Sequence, residues 1–334
     1  MTKAVFPDPG GFREAARAHQ RAWVRDHLHV QPTHPERVTL PVTEAQQGKN
    51  FFSSAVRQAV VERFGATFAL NASGLPNTRA ADALCSAHIP FNLFAPLRGY
   101  LGTPTLARFV TALAARPIAS VSEVGFEFAH REAKQAIGDN TAFDAYLLAQ
   151  APGSDGGRGP AIFLGVEVKY TEGPYAWGKT EKKRMFAVDD SYCRLTVSSG
   201  LFEVGATVEL GTRHLKQMWR NMLLGVATAE AMHTEFAYLH LYPEGNVYQG
   251  AACSKFAEQL TVNGQGVFRP ITYEGFLGAA AALPADALPW LEYLRARYLV
   301  PVSILSHAAD SRCRHAACRA CGAPARRGGS RGRN

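Results

Sequence analysis

Two charged residues stand out inside an otherwise apolar run, residues 161–172, which reads AIFLGVEVKYTE. Because side chains alternate along a β-strand, Glu167 and Lys169 would share one face, while Val166 and Val168 would point to the other. A carboxylate and an ammonium in a strand suited to a core are costly unless each has a partner. The run therefore predicts a buried strand that carries a polar site.

Asp144 is the matching anomaly in the apolar segment TAFDAYLLAQ upstream. We expect Asp144, Glu167 and Lys169 to converge, because together they provide what phosphodiester hydrolysis requires. Hard divalent cations activate water and stabilise an anionic transition state. Mg²⁺ is commonly held by one or two carboxylates, and Mn²⁺ is expected to substitute for it. A lysine beside the carboxylates could orient the attacking water or neutralise charge.

An alternative interpretation places Glu167 and Lys169 on the solvated face of an edge strand, which is common for isolated E-x-K triplets. Three features favour the site instead. They are the apolar flanks on both sides, the Asp144 in a second apolar strand, and the order of elements around them.

Hydrophobic periodicity predicts the elements that would position these residues. Helices are predicted over residues 12–29, 51–64, 79–94, 212–232, 273–283 and 285–298, with another that has Thr103 as N-cap and Pro104 as its first residue. Strands are predicted over 120–130, 142–150, 161–170 and 236–242, and residues 300–305 are expected to be extended. Pro90 should kink the helix over 79–94 or start a new turn.

The basic character of the chain comes from its last residues. The net charge is +8, but residues 311–334 hold seven arginines and no acidic residue, so residues 1–310 carry 29 basic and 28 acidic side chains. Any nucleic-acid surface on the core must therefore be a local patch. With 47% hydrophobic residues, no apolar signal region and no run of about 18 apolar residues, the chain is predicted to be globular and cytoplasmic, without membrane contact.

The six cysteines are expected to be reduced thiols without catalytic roles. Four potential zinc ligands lie close together near the end of the chain: Cys313, His315, Cys318 and Cys321. This run lacks the second knuckle of structural zinc sites, so a disordered Arg-rich tail is the favoured interpretation and zinc binding the other.

Residues 79–242 resemble the PD-(D/E)XK phosphodiesterase superfamily, which has the restriction-endonuclease-like fold. Its core is α-β-β-β-α-β, with an Asp on the second strand and an E-x-K on the third. The phrases FNLFAPL, TAFDAY, EVKYTE and QMWRNML look like a bacterial group of uncharacterised nucleases, and AHQRAWVRDHL is similar too. The resemblance implies an α/β fold with a mixed sheet flanked by helices, and divalent-metal-dependent cleavage of nucleic acid, usually DNA.

Mapped onto this chain, the resemblance makes Asp144 and Glu167 the metal ligands, joined by the backbone carbonyl of Val168. Lys169 is then the catalytic lysine. Resemblance to nucleases with a Gln on the long helix suggests that Gln217, assigned a catalytic role, or Arg220, assigned to substrate binding, faces the cleft; the competing interpretation is a solvated helix flank.

The chain departs from the superfamily pattern in two places. Phe143 stands where a proline gives the superfamily its name. Where some members carry an acidic residue on the first core helix, the predicted helix offers only Asp82. Glu127 is an alternative third carboxylate, with a structural role as the competing interpretation. Arg220 faces either the cleft or solvent, and Glu172 could support the ligands.

A loop after the motif strand combines aromatic and basic residues and could stack on bases and contact phosphates; it contains Tyr175, Trp177, Lys179, Lys182, Lys183 and Arg184. The competing interpretation is a charged loop without a partner.

These patterns divide the chain into four parts: an N-terminal helical extension (1–78), a nuclease core (79–245), a C-terminal helical addition packed on the core (246–306) and the tail (307–334). The function predicted is that of a Mg²⁺-dependent nuclease. The alternatives are a catalytically inactive nucleic-acid-binding or assembly module, and a hydrolase of another phosphate ester. DNA or RNA, endo- or exonuclease action and oligomeric state stay open, a homodimer included.

Overall fold

A five-stranded mixed sheet forms the centre of the fold. The computed structural model describes residues 6–34, 37–66, 68, 78–154, 157–176, 178 and 191–305. The strands are β1 (Ser120–Phe128), β2 (Phe143–Pro152), β3 (Arg158–Val168), β4 (Glu235–Tyr242) and β5 (Phe268–Thr272), and they lie side by side in that order. β1, β2 and β3 are antiparallel neighbours, whereas β4 is parallel to β3 and β5 is parallel to β4.

Helices cover both faces of this sheet. Before the sheet, the described residues form α1 (Gly10–His27), α2 (Val42–Gln46), α3 (Ser54–Phe64), α4 (Thr78–Ala81), α5 (Ile89–Phe94) and α6 (Pro104–Ala114). Between the strands lie α7 (Arg131–Ile137), α8 (Ser191–Ser198), α9 (Thr207–Leu210), α10 (Lys216–Met232), α11 (Val247–Ala257) and α12 (Val262–Val267). After β5 come α13 (Tyr273–Ala279) and α14 (Leu288–Tyr298). Short 3₁₀ turns occupy Ser86–His88, Ala95–Tyr100, Ala280–Ala282 and Ala285–Ala287.

The predicted order of three strands, a helix and a fourth strand is confirmed by β1, β2, β3, α10 and β4. The helix predicted over 79–94 is broken instead. Asp82 accepts a hydrogen bond from the backbone N–H of Leu84 at 2.9 Å, which stabilises a turn after α4. Pro90 then lies in the first turn of α5, where its missing N–H is tolerated.

Two further differences concern the C-terminal part of the chain. Residues 246–306 were expected to form a helical addition, and no strand was predicted over Phe268–Thr272, which joins the sheet as β5. This strand is short and contains Pro270, so it carries a weak sequence signal, and Pro270 is tolerated because β5 is an edge strand. Residues 302–305, predicted to be extended, form a helical turn, since the carbonyl of Pro301 accepts hydrogen bonds from Ile304 and Leu305.

The two faces of the sheet pack against different helices. One apolar cluster includes Val166 and Val168 of β3 and joins them to side chains of α1, α3, α5, α6, α13 and α14. The other includes Phe163 of β3 and joins it to side chains of α7, α8, α10 and α11. Both clusters draw on helices outside residues 79–245, so the sheet depends on the N- and C-terminal segments for its cover.

Arg297 connects these terminal segments within the first cluster. Its guanidinium is fully buried, donates to the carbonyl of Asn50 at 2.7 Å, and lies 4.5 Å from the ring centroid of Trp23. Asn92 of α5 donates to the same Asn50 carbonyl at 3.1 Å and to the hydroxyl of Tyr298 at 2.7 Å. A residue of α14 thus holds α1, the segment before α3, and α5 together.

We expect Arg297→Ala to lower the free energy of unfolding by about 3 kcal/mol, because it removes the donor to the buried Oδ1 of Asn50 and a desolvated cation–π contact with Trp23. Urea titration followed by circular dichroism measures this. Arg295→Ala, an exposed arginine on the same helix, is the control and should change the free energy by less than about 0.5 kcal/mol. Equal unfolding midpoints for the two variants would contradict this role of Arg297.

Candidate active site

The register of the strands brings the predicted acidic residues to one end of the sheet. Ala145 pairs with Val166 in the antiparallel β2–β3 ladder, so continuing the register by one residue places Asp144 opposite Glu167. Residues opposite each other in such a ladder have side chains on the same face. Glu167 in turn pairs with His240 of β4. A row of polar residues therefore crosses three adjacent strands.

Glu167 and Lys169 are 3% and 5% exposed, and β3 is the middle strand of the sheet. Val166 and Val168 pack into the apolar cluster on the other face, as their alternation predicts. The interpretation of Glu167 and Lys169 as a solvated edge-strand pair is therefore wrong.

Phe143, at the position of the superfamily proline, packs over the motif strand. A Cβ atom built on Gly165 would lie 2.5 Å from the Phe143 ring, so only glycine leaves room for the ring at this point of β3. Gly165 is two residues from Glu167, and Phe143 is adjacent to Asp144. The contact thus fixes the two strands against each other beside the site.

Asp144 is held by the backbone of the neighbouring strand. Its Oδ2 accepts a hydrogen bond from the N–H of Val168 at 2.7 Å. Since the N–H and C=O of one residue in a strand point to the same side, the carbonyl of Val168 also faces β2. Burial, and after it the Glu167 carboxylate, raise the pKa of Asp144 well above its ordinary value. Two like charges therefore compete at this end of the sheet.

Lys169 is paired within the site. Its Nζ donates to Glu167 Oε1 and, at 3.2 Å, to the hydroxyl of Tyr175, whose ring centroid lies 4.9 Å away. Burial would lower the pKa of Lys169, but Glu167, Tyr175 and Asp144 raise it well above its ordinary value. Lys169 is therefore a protonated, buried cation.

Asn221 of α10 is a site residue to which sequence reasoning gave no role. Its Nδ2 donates to Glu167 Oε2 at 2.7 Å, and its Oδ1 accepts from the hydroxyl of Thr141 at 3.0 Å. Gln217, the predicted catalytic residue of this helix, donates to the same Oδ1 at 3.3 Å and reaches Glu167 only through Asn221. The sequence signal for Asn221 was its place one helical turn after Gln217, beside the apolar stripe of α10.

Asn221 also reaches β4. Its Nδ2 lies 3.4 Å from the hydroxyl of Tyr238, which in turn lies 3.1 Å from Nδ1 of His240. Burial, followed by the charge of Lys169, lowers the pKa of His240 to about 3, so this imidazole is neutral. Neither Tyr238 nor His240 was singled out from the sequence, because an aromatic and a histidine in an apolar strand are typical core residues.

Arg220, predicted to face either the cleft or solvent, forms a bidentate pair with Asp139 at 2.8 and 2.5 Å. Burial would raise the pKa of Asp139, but hydrogen bonds from Arg220 and Tyr192 lower it below its ordinary value. The guanidinium of Arg220 thus joins α10 to the segment after α7, which favours a structural role.

Glu127, the alternative third carboxylate, lies close to Asp144. Glu127 lies beside it in the β1–β2 ladder, between the pairs Phe126–Ala145 and Phe128–Phe143, and contributes to the raised pKa of Asp144. Its φ of 50° is sparsely populated by residues other than glycine.

Glu172 and Asp82 are engaged elsewhere. The carboxylate of Glu172 accepts hydrogen bonds from the backbone N–H groups of Tyr170 at 2.6 Å and Ser86 at 3.3 Å. Burial raises the pKa of Asp82, which caps the turn after α4. The Glu172 carboxylate therefore links the segment after β3 to Ser86, whereas the Asp82 carboxylate stabilises its own turn.

Several predicted residues lie outside the described residues, so their predictions stay untested. They are Trp177, Lys179, Lys182, Lys183 and Arg184 of the basic loop, and Cys313, His315, Cys318 and Cys321 of the tail. Tyr175 is described, and within the described part of the chain Cys85, Cys193 and Cys253 are not joined by disulfides.

Comparison with known proteins bears on this arrangement. A family model described as PD-(D/E)XK nuclease superfamily matches residues 7–300. The chain belongs to the PD-(D/E)XK nuclease superfamily. Searches of curated proteins and of solved structures gave no match. The superfamily match extends well beyond residues 79–242 and takes in the helices α1 to α14 that cover the sheet.

Within the same described residues, no helix has the length and apolar character needed to cross a membrane.

We expect Gly165→Ala to destabilise this superfamily member by about 2 kcal/mol, because the new methyl group must displace the ring of Phe143 from a packed site. Thermal unfolding followed by calorimetry measures the loss. Gly266→Ala is the control, since open space surrounds that position within α12, and it should be neutral or stabilising. A Gly165→Ala protein as stable as the control would show that the Phe143 contact is not tight.

Proposed function

We propose that the protein is a divalent-metal-dependent nuclease that hydrolyses phosphodiester bonds of nucleic acid, with DNA as the favoured substrate. The observation that supports this most is the convergence of Asp144, Glu167 and Lys169, from two neighbouring strands, at one end of the sheet. Membership of a nuclease superfamily makes nucleic acid the expected substrate class.

The donor atoms at this end fit a hard cation. Asp144 and Glu167 supply carboxylate oxygens, and the carbonyl of Val168 faces the same side as Asp144. Within the described ranges, no three His, Cys, Asp or Glu side chains are grouped as metal ligands, so this site would hold an ion with two carboxylates, a carbonyl, water and substrate. Mg²⁺ accepts such a set, and Mn²⁺ substitutes for it.

The electrostatics of the site support the same assignment. The pKa of Asp144 is raised by burial and by Glu167, which means that an ionised Asp144 would be repelled by the neighbouring carboxylate in a poorly solvated place. A bound divalent cation would remove this repulsion, polarise a phosphoryl oxygen and activate water. Asp144 and Glu167 would hold it, and Asn221 would keep the Glu167 carboxylate in position through Oε2.

Lys169 would act as a fixed positive charge. Because its pKa is raised, it is an ammonium at neutral pH and is a poor proton acceptor. An ammonium can donate hydrogen bonds to a non-bridging phosphate oxygen and to the attacking water, and both stabilise negative charge in the transition state. Tyr175 holds the ammonium from the other side and is 39% exposed, so it lies where a substrate would meet the site.

A concave surface beside the site offers cations to a nucleic-acid backbone. An open cavity of about 510 Å³ is lined by α7 and the residues after it, among them Arg131, Lys134, Gln135 and Asn140. Among the described residues, the side chains of Arg131 and Lys134 have no ion pair. Thr141, which follows the lining residue Asn140, is hydrogen-bonded to Asn221, so two hydrogen bonds connect this segment with Glu167. It is a local basic patch of the kind that the near-neutral core requires.

We expect the wild type to cleave plasmid or single-stranded DNA in the presence of Mg²⁺, and EDTA to stop cleavage. Lys169→Ala, Asp144→Asn and Glu167→Gln should each lower the rate by about 100-fold or more, as does the loss of one group that stabilises transition-state charge. Gel-resolved cleavage rates measure this.

Lys255→Ala is the matched control, because Lys255 is an exposed partner of Glu258 and should leave the rate unchanged. Absence of metal-dependent cleavage, or cleavage that survives Lys169→Ala, would overturn the proposal. DNA binding without cleavage would favour the binding-module alternative.

We expect the double variant Arg131→Ala/Lys134→Ala to bind DNA more weakly. Removing one cation that neutralises a phosphate should reduce the slope of log affinity against log salt concentration by about 0.9, and removing both should reduce it by about 1.8. Fluorescence anisotropy in EDTA, where the DNA is not cleaved, measures the slope.

Arg108→Ala/Arg158→Ala removes the same charge from exposed positions on α6 and at the start of β3, the end of the sheet away from the site. An equal change of slope in both double variants would indicate that only net charge matters and that the α7 surface does not contact the DNA.

A further inference from the structure

Two polar side chains of β4 are buried behind the proposed site. Tyr238 is fully buried and His240 is 1% exposed, and both lie among aromatic rings. Burying a hydroxyl and an imidazole without partners costs free energy, so their hydrogen bonds are required for this packing. The donors and acceptors in these hydrogen bonds indicate the role of Tyr238 and His240.

The side-chain amide of Gln249 determines which atoms of His240 and Tyr238 donate and which accept. Nε2 of Gln249 on α11 donates to the carbonyl of Glu172 at 3.0 Å, which leaves Oε1 of Gln249 facing Nε2 of His240 at 3.3 Å. Nε2 of His240 must therefore donate, and in the neutral imidazole Nδ1 accepts. The hydroxyl of Tyr238 accordingly donates to Nδ1 of His240.

With its hydrogen committed to His240, the oxygen of Tyr238 can only accept. It accepts from Nδ2 of Asn221, the same nitrogen that donates to Glu167 Oε2 at 2.7 Å. Both hydrogens of the Asn221 amide are then used, and its Oδ1 is occupied by Thr141 and Gln217. The orientation of the Asn221 amide is thereby determined, and it presents an N–H to Glu167.

The chain of bonds begins and ends on one segment, and donation runs outward from the Asn221 amide in both directions. It leads from Glu172 through Gln249, His240, Tyr238 and Asn221 to Glu167. Glu167 and Glu172 belong to the same stretch of chain, so α10, β4 and α11 hold this stretch from both ends.

We propose that Tyr238 and His240 are positioning residues, which orient the amide of Asn221 and through it fix the Glu167 carboxylate for metal binding. This inference rests on the proposed function. The hydrogen bond from Asn221 occupies Oε2 of Glu167, so it determines the plane in which the carboxylate presents its remaining lone pairs. Partners beyond the ligands commonly control metal affinity in this way.

The test begins with Tyr238→Phe, which removes one hydroxyl and keeps the ring. We expect Mn²⁺ to bind about 10-fold more weakly, in line with the usual effect of losing such a partner. Isothermal titration calorimetry with Mn²⁺ alone, without substrate, measures the affinity of the full chain.

Tyr192→Phe is the matched control. Tyr192 is also buried on this face and packs against Trp219 of α10, but its hydroxyl bonds to Asp139 and not to the Asn221 amide. It should leave Mn²⁺ affinity within about twofold of wild type. Equal weakening in both variants would overturn the proposal, because general loosening of α10 would then explain the result.

Two further comparisons separate positioning from packing. His240→Asn keeps an acceptor near the place of Nδ1 and should retain most of the affinity, whereas His240→Leu should lose it. In an Asn221→Ala background, Tyr238→Phe should have no additional effect, because its action passes through the missing amide. Additive losses in that double variant would contradict the proposal.

A measurement without metal distinguishes this proposal from the proposed function. In the metal-free protein, NMR hydrogen exchange of the Asn221 side-chain amide should be at least about 10-fold faster in Tyr238→Phe than in wild type, because an amide that loses a buried partner opens more readily. If wild type binds no Mn²⁺, the metal site fails, and an unchanged exchange rate would overturn the positioning role as well.

Discussion

The burial of a carboxylate and an ammonium in the middle strand is the constraint on which the rest of the site depends. Breaking a buried ion pair leaves an uncompensated charge, so Glu167 and Lys169 must keep all their partners. Asn221 donates a hydrogen bond to one oxygen of Glu167 and Lys169 donates to the other. The ammonium of Lys169 also donates to the hydroxyl of Tyr175. The positions of helix α10 and of the segment after β3 are therefore constrained by their hydrogen bonds to Glu167 and Lys169.

The sequence predicted the residues whose charge contradicts their surroundings, and it could not predict their partners. Asp144, Glu167 and Lys169 were identifiable because a charge in an apolar strand is anomalous, and strand alternation gave their common face. Asn221, Tyr238 and His240 carry no such signal, since each contact depends on how α10 crosses β3 and β4. Arg220 has the charge expected of a cleft residue, but its guanidinium pairs with Asp139, which is distant along the chain.

Element length explains part of the remaining differences in fold. The long amphipathic α10 and the alternating strands β2 and β3 have clear periodicity, whereas the seven residues of α7 and the five of β5 are too short to show any. The division at residues 79 and 245 followed from the superfamily core alone. Arg297 and Asn50 join segments on both sides of it, and the superfamily match over residues 7–300 includes both.

Glu167 would have two tasks in the proposed nuclease, and they compete. Its Oε1 compensates Lys169, yet metal binding would require the same carboxylate. When a cation takes that oxygen, part of the compensation for Lys169 is lost, and a buried ammonium needs another anion. A substrate phosphate is such an anion. Metal binding would then increase the affinity of Lys169 for phosphate, and by linkage bound substrate would strengthen metal binding. The Glu167–Lys169 ion pair would thus couple metal binding and substrate binding in the proposed nuclease.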